Sequence, residues 1–252
     1  SWYTDNVTIY VHQAYSLPVN NINSRIYLSA SNAWFESNEN VYIYGFDFEG
    51  GNGGACRFNG GSTNIISCKD TTFKYAVNGT FASQSAIDGL RATGAGLYAM
   101  YECSASRNSK DGLNYHKEGA VIPRVLQVNC SGFRNGEIVP TSVSNNGFTT
   151  HDGIVAIDIG GTYLGSVGTN SGHVDDGQVW CVGTVAGNSE GDTYNGGSID
   201  WGAFGFWAGT GEMWLDSCED VGSRIGVYNS GTSTVNIRNH IGTGTRVNTA
   251  SY

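Results

Sequence analysis

Apolar residues in this chain fall in short alternating runs, not in helical stripes. Ile65-Ile66-Ser67-Cys68, Leu126-Gln127-Val128-Asn129-Cys130 and Gln178-Val179-Trp180-Cys181 are typical. Period-two runs of this kind, bounded by Gly, Asn and Asp clusters, predict half-buried β-strands. No segment carries the i, i+3, i+4, i+7 spacing of a long amphipathic helix, so the chain is expected to be all-β. Early strands are expected at Val7–Val11, Arg25–Leu28 and Val41–Tyr44, closing on the glycine-rich turn 49–54.

A longer phrase repeats within residues 101–153. Cys103, the Arg107-Asn108 turn and Asp111-Gly112-Leu113 are answered by Cys130, Arg134-Asn135 and Asp152-Gly153-Ile154. Apolar runs end at Cys68, Cys103, Cys130, Cys181 and Cys218. The strands that follow open at Asp88-Gly89-Leu90, Asp111-Gly112-Leu113, Asp152-Gly153-Ile154, Asp200-Trp201-Gly202 and, without the acid, Ile225-Gly226-Val227. Repeats of about 20–50 residues mark solenoids and propellers. A propeller needs a nearly constant period, whereas the spacing here varies, and at one place. Cys103 to Asp111 is the bare phrase, and the other segments carry insertions between the Cys and the next Asp. Lengthening a surface loop costs little entropy. Insertions at one corner of a coil gather on one face, often the binding face of a repeat protein.

The expectation is therefore one β-helix domain over residues 1–252, a solenoid of about ten coils with long loops at one corner. Residues 1–60 would form the first coils, 61–245 the regular coils and 246–252 a tail. The five cysteines are expected in one inward column as buried free thiols. Asp88, Asp111 and Asp152 are expected at equivalent corners of successive coils.

Two segments carry a resemblance. They are Cys103–Asn108 with Asp111-Gly112-Leu113-Asn114-Tyr115-His116, and residues 144–153, Ser-Asn-Asn-Gly-Phe-Thr-Thr-His-Asp-Gly. Over roughly residues 40–245 the chain resembles the pectate-lyase-like right-handed parallel β-helix superfamily. Within it, the chain looks most like bacteriophage tailspike and receptor-binding depolymerase domains. That resemblance implies a right-handed coil, a homotrimer, an extracellular setting on a virion tail, and a bacterial surface polysaccharide as receptor or substrate.

Composition narrows the partners. The net charge of −9 lacks the basic footprint of a nucleic-acid-binding protein. No apolar run approaches the roughly 18 residues of a membrane span, and no signal-peptide pattern opens the chain. Neither nucleic acid nor membrane is an expected partner. The strand-like opening at Ser1-Trp2-Tyr3 suggests a domain excised from a longer chain, its end coils capped by neighbours. The six cysteines include no Cys-x-x-Cys pair. No His-x-x-x-His occurs, and Asp175-Asp176 lacks the regular ligand spacing of a calcium loop. No metal or cofactor is expected.

Glycoside cleavage needs two carboxyls, about 5–5.5 Å apart for retention and roughly 6.5–9.5 Å for inversion. Like charges that close raise one pKa, which suits a general acid beside a base. Asp111 and Asp152 are the expected pair, with His116, His151 and Glu118 orienting them or supplying a base. The alternative for the Asp column is a turn ladder in which each Asp accepts its own backbone N–H groups. Trp201 and Trp207 are candidate sugar platforms, because sugars pack their C–H faces on aromatic rings. Trp207 has the opposite parity to Phe206, so one of the two faces outward. Asp88, Asn114 and Arg107 are further substrate-binding candidates, Arg107 through a sugar carboxylate. Three functions remain open: a polysaccharide hydrolase, a polysaccharide lyase in which Arg107, Lys110 or His116 neutralises a uronate, and a binding or structural shaft without catalysis.

Overall fold

The computed structural model describes residues 2–4, 9–11, 35–51, 54–76, 88–136, 145–189, 204–242, 244–247 and 250–251. The strand expected at Arg25–Leu28 and the platform residue Trp201 lie outside them. Among the described residues there is no helix, and so none long and apolar enough to cross a membrane. The fold is a parallel β-helix whose coils each contribute one strand to three faces, A, B and C. Faces A and B form a 16-stranded sheet and face C an 8-stranded one.

One coil shows the plan: Leu113–His116 on face A, Arg124–Val128 on face B and Ser131–Phe133 on face C. The coil before it uses Leu90–Gly94, Leu97–Tyr101 and Ser104–Ser106. The coil after it uses Phe148–Thr150, Val155–Ile159 and Thr162–Leu164, and the next Ser171–His173, Gly177–Val182 and Val185–Gly187. Two long strands, Phe204–Asp216 and Ile225–Arg238, run over A and B without a break in the chain. Their pairing shifts register between Ala208 and Thr210. Trp2–Thr4 and Ile9–Val11 instead pair antiparallel, as a separate two-stranded sheet.

Corners set the geometry. At the B-to-C corner, Gly45, Asp70, Glu102, Asn129, Gly160 and Gly183 all have positive φ, as do the next residues in the column. The column is occupied by Gly, Asn, Asp and other polar residues, which adopt this backbone at least cost. Past face C, Asn108 and Asn135 form a buried amide ladder. Asn108 Nδ2 donates to Asn135 Oδ1 (3.0 Å) and to Phe73 O (3.1 Å), and Asn135 Nδ2 to Ala105 O (3.2 Å). That ladder explains the Gly of Asp-Gly. A Cβ on Gly89 would sit 2.3 Å from Asn108 Nδ2, and one on Gly112 2.6 Å from Asn135 Nδ2.

The core fills by compensation between faces. Tyr115 and Phe148 project from face A with rings 5.9 Å apart, beside the small Ala105 and Gly132 of face C. Where face C carries Tyr163, its ring meets Phe148 at 5.5 Å.

All six cysteines are buried and free, but they do not share a column. Ser104 pairs with Thr72 and Ser131, which aligns Cys103 with Cys130 at the corner opening face C. Cys218 has the same place before Glu219. Cys68 pairs with Met100 and Cys181 with Asp158, inside face B. Cys56 pairs with Leu90 on face A. Both the corner and the face B column accept a small buried side chain, so the interval between cysteines does not separate them.

Candidate functional site

Two corners flank face A, and each carries acids. The corner entering face A holds Asp88 and Asp111 in equivalent places, since Leu90 pairs with Leu113. Asp111 Oδ1 accepts the Asn146 backbone N–H (2.8 Å), and Oδ2 accepts Asn114 Nδ2 (2.8 Å). Asn114 Nδ2 also reaches Asp88 Oδ2 (3.1 Å), on which Arg91 Nη1 closes at 3.1 Å. Asp88, Asp111 and Asn114 are all fully buried. Burial first, and the neighbouring charge of Asp111 second, push the Asp88 carboxyl up, against Lys110 and Arg91. These acids tie coil to coil, Asp111 through the Asn146 N–H and both through the Asn114 amide. Asn114, on the outward side of face A and fully buried, bridges the two carboxylates.

Asp152 does not belong to that column. Tyr115 pairs with Thr150, which aligns His116 with His151 and Lys117 with Asp152 at the corner leaving face A. At about 3.3 Å per residue, Asp152 lies on the order of 15–20 Å from Asp111. Asp111 and Asp152 therefore stand in different columns at opposite ends of face A, with Arg91 Nη1 between them, 3.1 Å from Asp88 Oδ2 and 3.4 Å from His116 Nε2. The Asn146-Gly147-Phe148 phrase takes the place that Asp152-Gly153-Ile154 was expected to fill.

The exit corner assembles a different group. Thr150 pairs with His173, so Asp175 stands on the coil after Asp152, about 4.8 Å away along the stack. The Gly153 N–H bonds the Asp175 carbonyl at 2.5 Å. Asp152 and Asp175 both adopt left-handed φ, 62° and 65°. The rings of His116 and His151 stack at 4.2 Å and 7°. His116 Nδ1 lies 3.4 Å from Asp152 Oδ2, and His151 Nδ1 lies 3.6 Å from Asp175 Oδ2. The Lys117 N–H donates to Asp152 Oδ2 (3.3 Å), with the Lys117 ammonium 3.8 Å from Oδ1. The acid side chains remain 27% and 62% exposed, in contrast to the buried pair at the other corner.

Both histidines are held neutral. Burial lowers His116 to about 2, reinforced by His151, Arg91 and Lys110. Burial also lowers His151, against the pull of Asp175 and Asp152. Behind them His173 is buried between the hydroxyls of Thr150 and Ser171, each at 2.9 Å, and is held at about 3.

An open recess of about 490 Å³ runs along the same corner, lined by Ser62, Asn64, Ile65, Val121, Ile122 and Arg124 among others. Ile122 Cδ1 comes within 4.0 Å of a Cβ built on Gly153, so the recess abuts the acid pair. Glu118 is exposed in the tight turn Glu118–Val121 near this recess. Trp207 is half-buried and points outward from face A, in line with Asn114, Thr149 and Gly172, while Phe206 is fully buried. Arg107 is exposed with φ 55° at the turn past face C, on the other side of face A from the acid pair.

The residue that sequence reasoning missed is Asp175. The signal was present in the second Asp-Gly turn, Asp176-Gly177, which opens a face B strand as Asp152-Gly153-Ile154 does. Among the described residues, no group of three or more His, Cys, Asp or Glu side chains is placed to hold a metal ion. Comparison with protein-family models, curated proteins and solved structures finds no match for this chain.

Proposed function

We propose that this protein recognises a bacterial surface polysaccharide along the A–B corner and cleaves it by glycoside hydrolysis, with Asp152 and Asp175 as the two carboxyls. One observation carries the reading: two accessible acids stand one coil apart, each beside one of two stacked histidines. A one-coil step of about 4.8 Å suits the close carboxyl spacing of a retaining mechanism. One carboxyl would deliver a proton to the glycosidic oxygen while the other attacks the anomeric carbon. His116 and His151, neutral and stacked, would hold both acids in place without adding charge. The adjoining recess gives a sugar chain room beside the pair, and Trp207 offers a ring further along face A. The resemblance to tailspike depolymerases supports the choice of polymer.

β-Elimination is the second reading, favoured by two neutral imidazoles near the cations of Arg91 and Lys110. Product analysis on capsular polysaccharides separates the readings. New reducing ends without a conjugated uronate chromophore are the expected result. The chromophore would establish elimination instead, and binding with uncut chains would leave a receptor-binding shaft.

A further inference from the structure

A chain of polar contacts crosses the outside of face A and joins its two corners. Leu90, Ala92, Leu113 and Tyr115 are buried, so Arg91, Asn114 and His116, which alternate with them, lie on the outward side of the sheet. Arg91 Nη1 lies 3.1 Å from Asp88 Oδ2 at the entrance and 3.4 Å from His116 Nε2. The other ring nitrogen of His116, Nδ1, lies 3.4 Å from Asp152 Oδ2 at the exit. Asp88 is fully buried and anchors Arg91. A swing of that guanidinium outward would leave Asp88 with Asn114 as its one side-chain donor among the described residues.

A guanidinium carries donors and no acceptor. The nitrogen it meets, His116 Nε2, must therefore offer its lone pair. A neutral imidazole has a single N–H, which puts the proton on Nδ1, the nitrogen facing Asp152. A protonated ring would set two donors against each other at Nε2, and burial already holds His116 neutral. The stacked His151 has no such partner. Its Nε2 makes no hydrogen bond among the described residues, so nothing there sets its tautomer.

The two exit acids are thereby unequal. Asp152 Oδ2 faces both His116 Nδ1 and the Lys117 N–H (3.3 Å). Asp175 is more exposed, and its carboxyl faces only His151 Nδ1, at 3.6 Å, among the described residues. Contacts of this length are common around catalytic groups before substrate closes the site.

We propose that Arg91 is a positioning residue: it locks His116 as the Nδ1–H tautomer, which holds Asp152 as the nucleophile and leaves Asp175 as the proton carrier. The assignment rests on the retaining hydrolysis proposed above. Asp152 Oδ1 bonds the anomeric carbon as the glycosidic C–O bond breaks, and Asp175 gives its proton to the departing oxygen. Water then bonds that carbon, yields a proton to Asp175 and releases Asp152 as a carboxylate.

Nitrogen-15 NMR of the imidazoles, recorded without any polymer, reads the tautomer. Asp152→Ala removes the pull of the exit acid on the ring, so that Arg91 acts by itself. His116 is expected as Nδ1–H in the wild type and in Asp152→Ala, and mainly as Nε2–H once Arg91→Met is added to Asp152→Ala. Loss of Nδ1–H in Asp152→Ala, or its survival in the double variant, overturns the inference whether or not the protein cuts a polymer. Arg91→Met also strands the buried Asp88, and adding Asp88→Asn removes that charge and keeps the test readable should Arg91→Met not fold. In cleavage, Arg91→Met should lower kcat about 10-fold with KM unchanged, a part of the about 10²–10⁴ that a positioned acid or base supplies. Arg91→Lys, whose head is also donor-only, should stay within about three-fold of the parent. Added to Asp152→Asn, Arg91→Met should cost nothing more. A further loss there would mean that Arg91 does not act through Asp152, and overturns the assignment. Uncut polymer with the tautomers as expected would overturn the hydrolytic reading and leave the hold of Arg91 on His116 established.

Discussion

The two ends of face A carry the same residues to opposite effect. At the entrance, Asp88 and Asp111 are fully buried; both Asp111 oxygens and Asp88 Oδ2 are taken by Asn114, Arg91 and the Asn146 N–H, while Asp88 Oδ1 accepts no hydrogen bond among the described residues. At the exit, Asp152 and Asp175 remain accessible, each loosely paired with one histidine at 3.4 and 3.6 Å. The difference comes from what lies behind each turn. At the entrance Asn114 and the Asn146 N–H fix the acids within the stack, whereas at the exit Asp152 and Asp175 sit in positive-φ turns beside the histidine pair. A carboxylate saturated by fixed donors is scaffold. One left with free valence toward solvent is available for chemistry.

Replacing each acid in turn should separate the two corners most sharply in cleavage. Asp152→Asn and Asp175→Asn are each expected to lower the rate about 1,000-fold, since a positioned acid or base contributes about 10²–10⁴. That is about 4 kcal/mol of transition-state stabilisation. Asp111→Asn, assayed well below its melting temperature, should keep the parent rate to within a few-fold. Equal losses from all three would erase the distinction.

In stability the order should reverse. Asp111→Ala leaves the buried Asn146 N–H without its acceptor and the Asn114 amide with Asp88 alone, at a cost of about 3 kcal/mol. Asp152→Ala is expected to cost less than about 1 kcal/mol, as exposed substitutions do. Urea unfolding midpoints measure both, and a larger loss at Asp152 would assign it a structural role.

The histidines give a smaller, pH-dependent contrast. A histidine whose folded pKa is depressed stays neutral in the fold while the unfolded chain takes up protons. Its contribution is intact above about 6.5 and is lost as pH falls toward the folded value. With His116 at about 2 and His173 at about 3, lowering pH from 7.5 to 5 should cost about 1–2 kcal/mol for each. The ring protons of His116 should show no titration by NMR between pH 5 and 8. A midpoint near 6.5 would mean that water reaches the stack and that the exit corner is no more enclosed than the open surface.

The fold was largely legible because alternation and corner chemistry are local. The all-β class, the parity of Phe206 and Trp207, and the equivalence of Asp88 and Asp111 follow from period two and the Asp-Gly turn. What misled was the same turn used twice. Asp111-Gly112-Leu113 opens a face A strand and Asp152-Gly153-Ile154 a face B strand. Both sites want a residue tolerant of tight backbone, and nothing within the dipeptide records which corner it serves. Cys68 and Cys103 posed the same problem, as two small buried side chains on either side of one corner. Register across coils is a long-range property, and only the pairing of neighbouring strands resolved it.

A third kind of acid sharpens the contrast between saturated and unsaturated carboxylates. Asp158 lies inside the core of face B, where its oxygens accept the hydroxyls of Tyr163 (2.9 Å) and Thr184 (2.7 Å). Burial outweighs both bonds and raises it to about 6. A carboxyl with a raised folded pKa is penalised when charged. The penalty is full above about 6 and fades as pH falls toward the unfolded value, near 3.8. A shift of about two units corresponds to about 3 kcal/mol at most. Asp158→Asn removes that charge and loses little, because Thr184 can turn its hydroxyl to accept from the new amide while Tyr163 still donates to the remaining oxygen. It should stabilise the protein by about 1–2 kcal/mol at pH 8 and by almost nothing at pH 4.5, as read from urea midpoints. Asp111→Asn should not behave this way. The backbone N–H of Asn146 cannot reverse, and the new amide fits only if Asn114 turns over and releases Asp88. A gain at both sites would mean that burial alone, not the kind of donor, decides what these acids do.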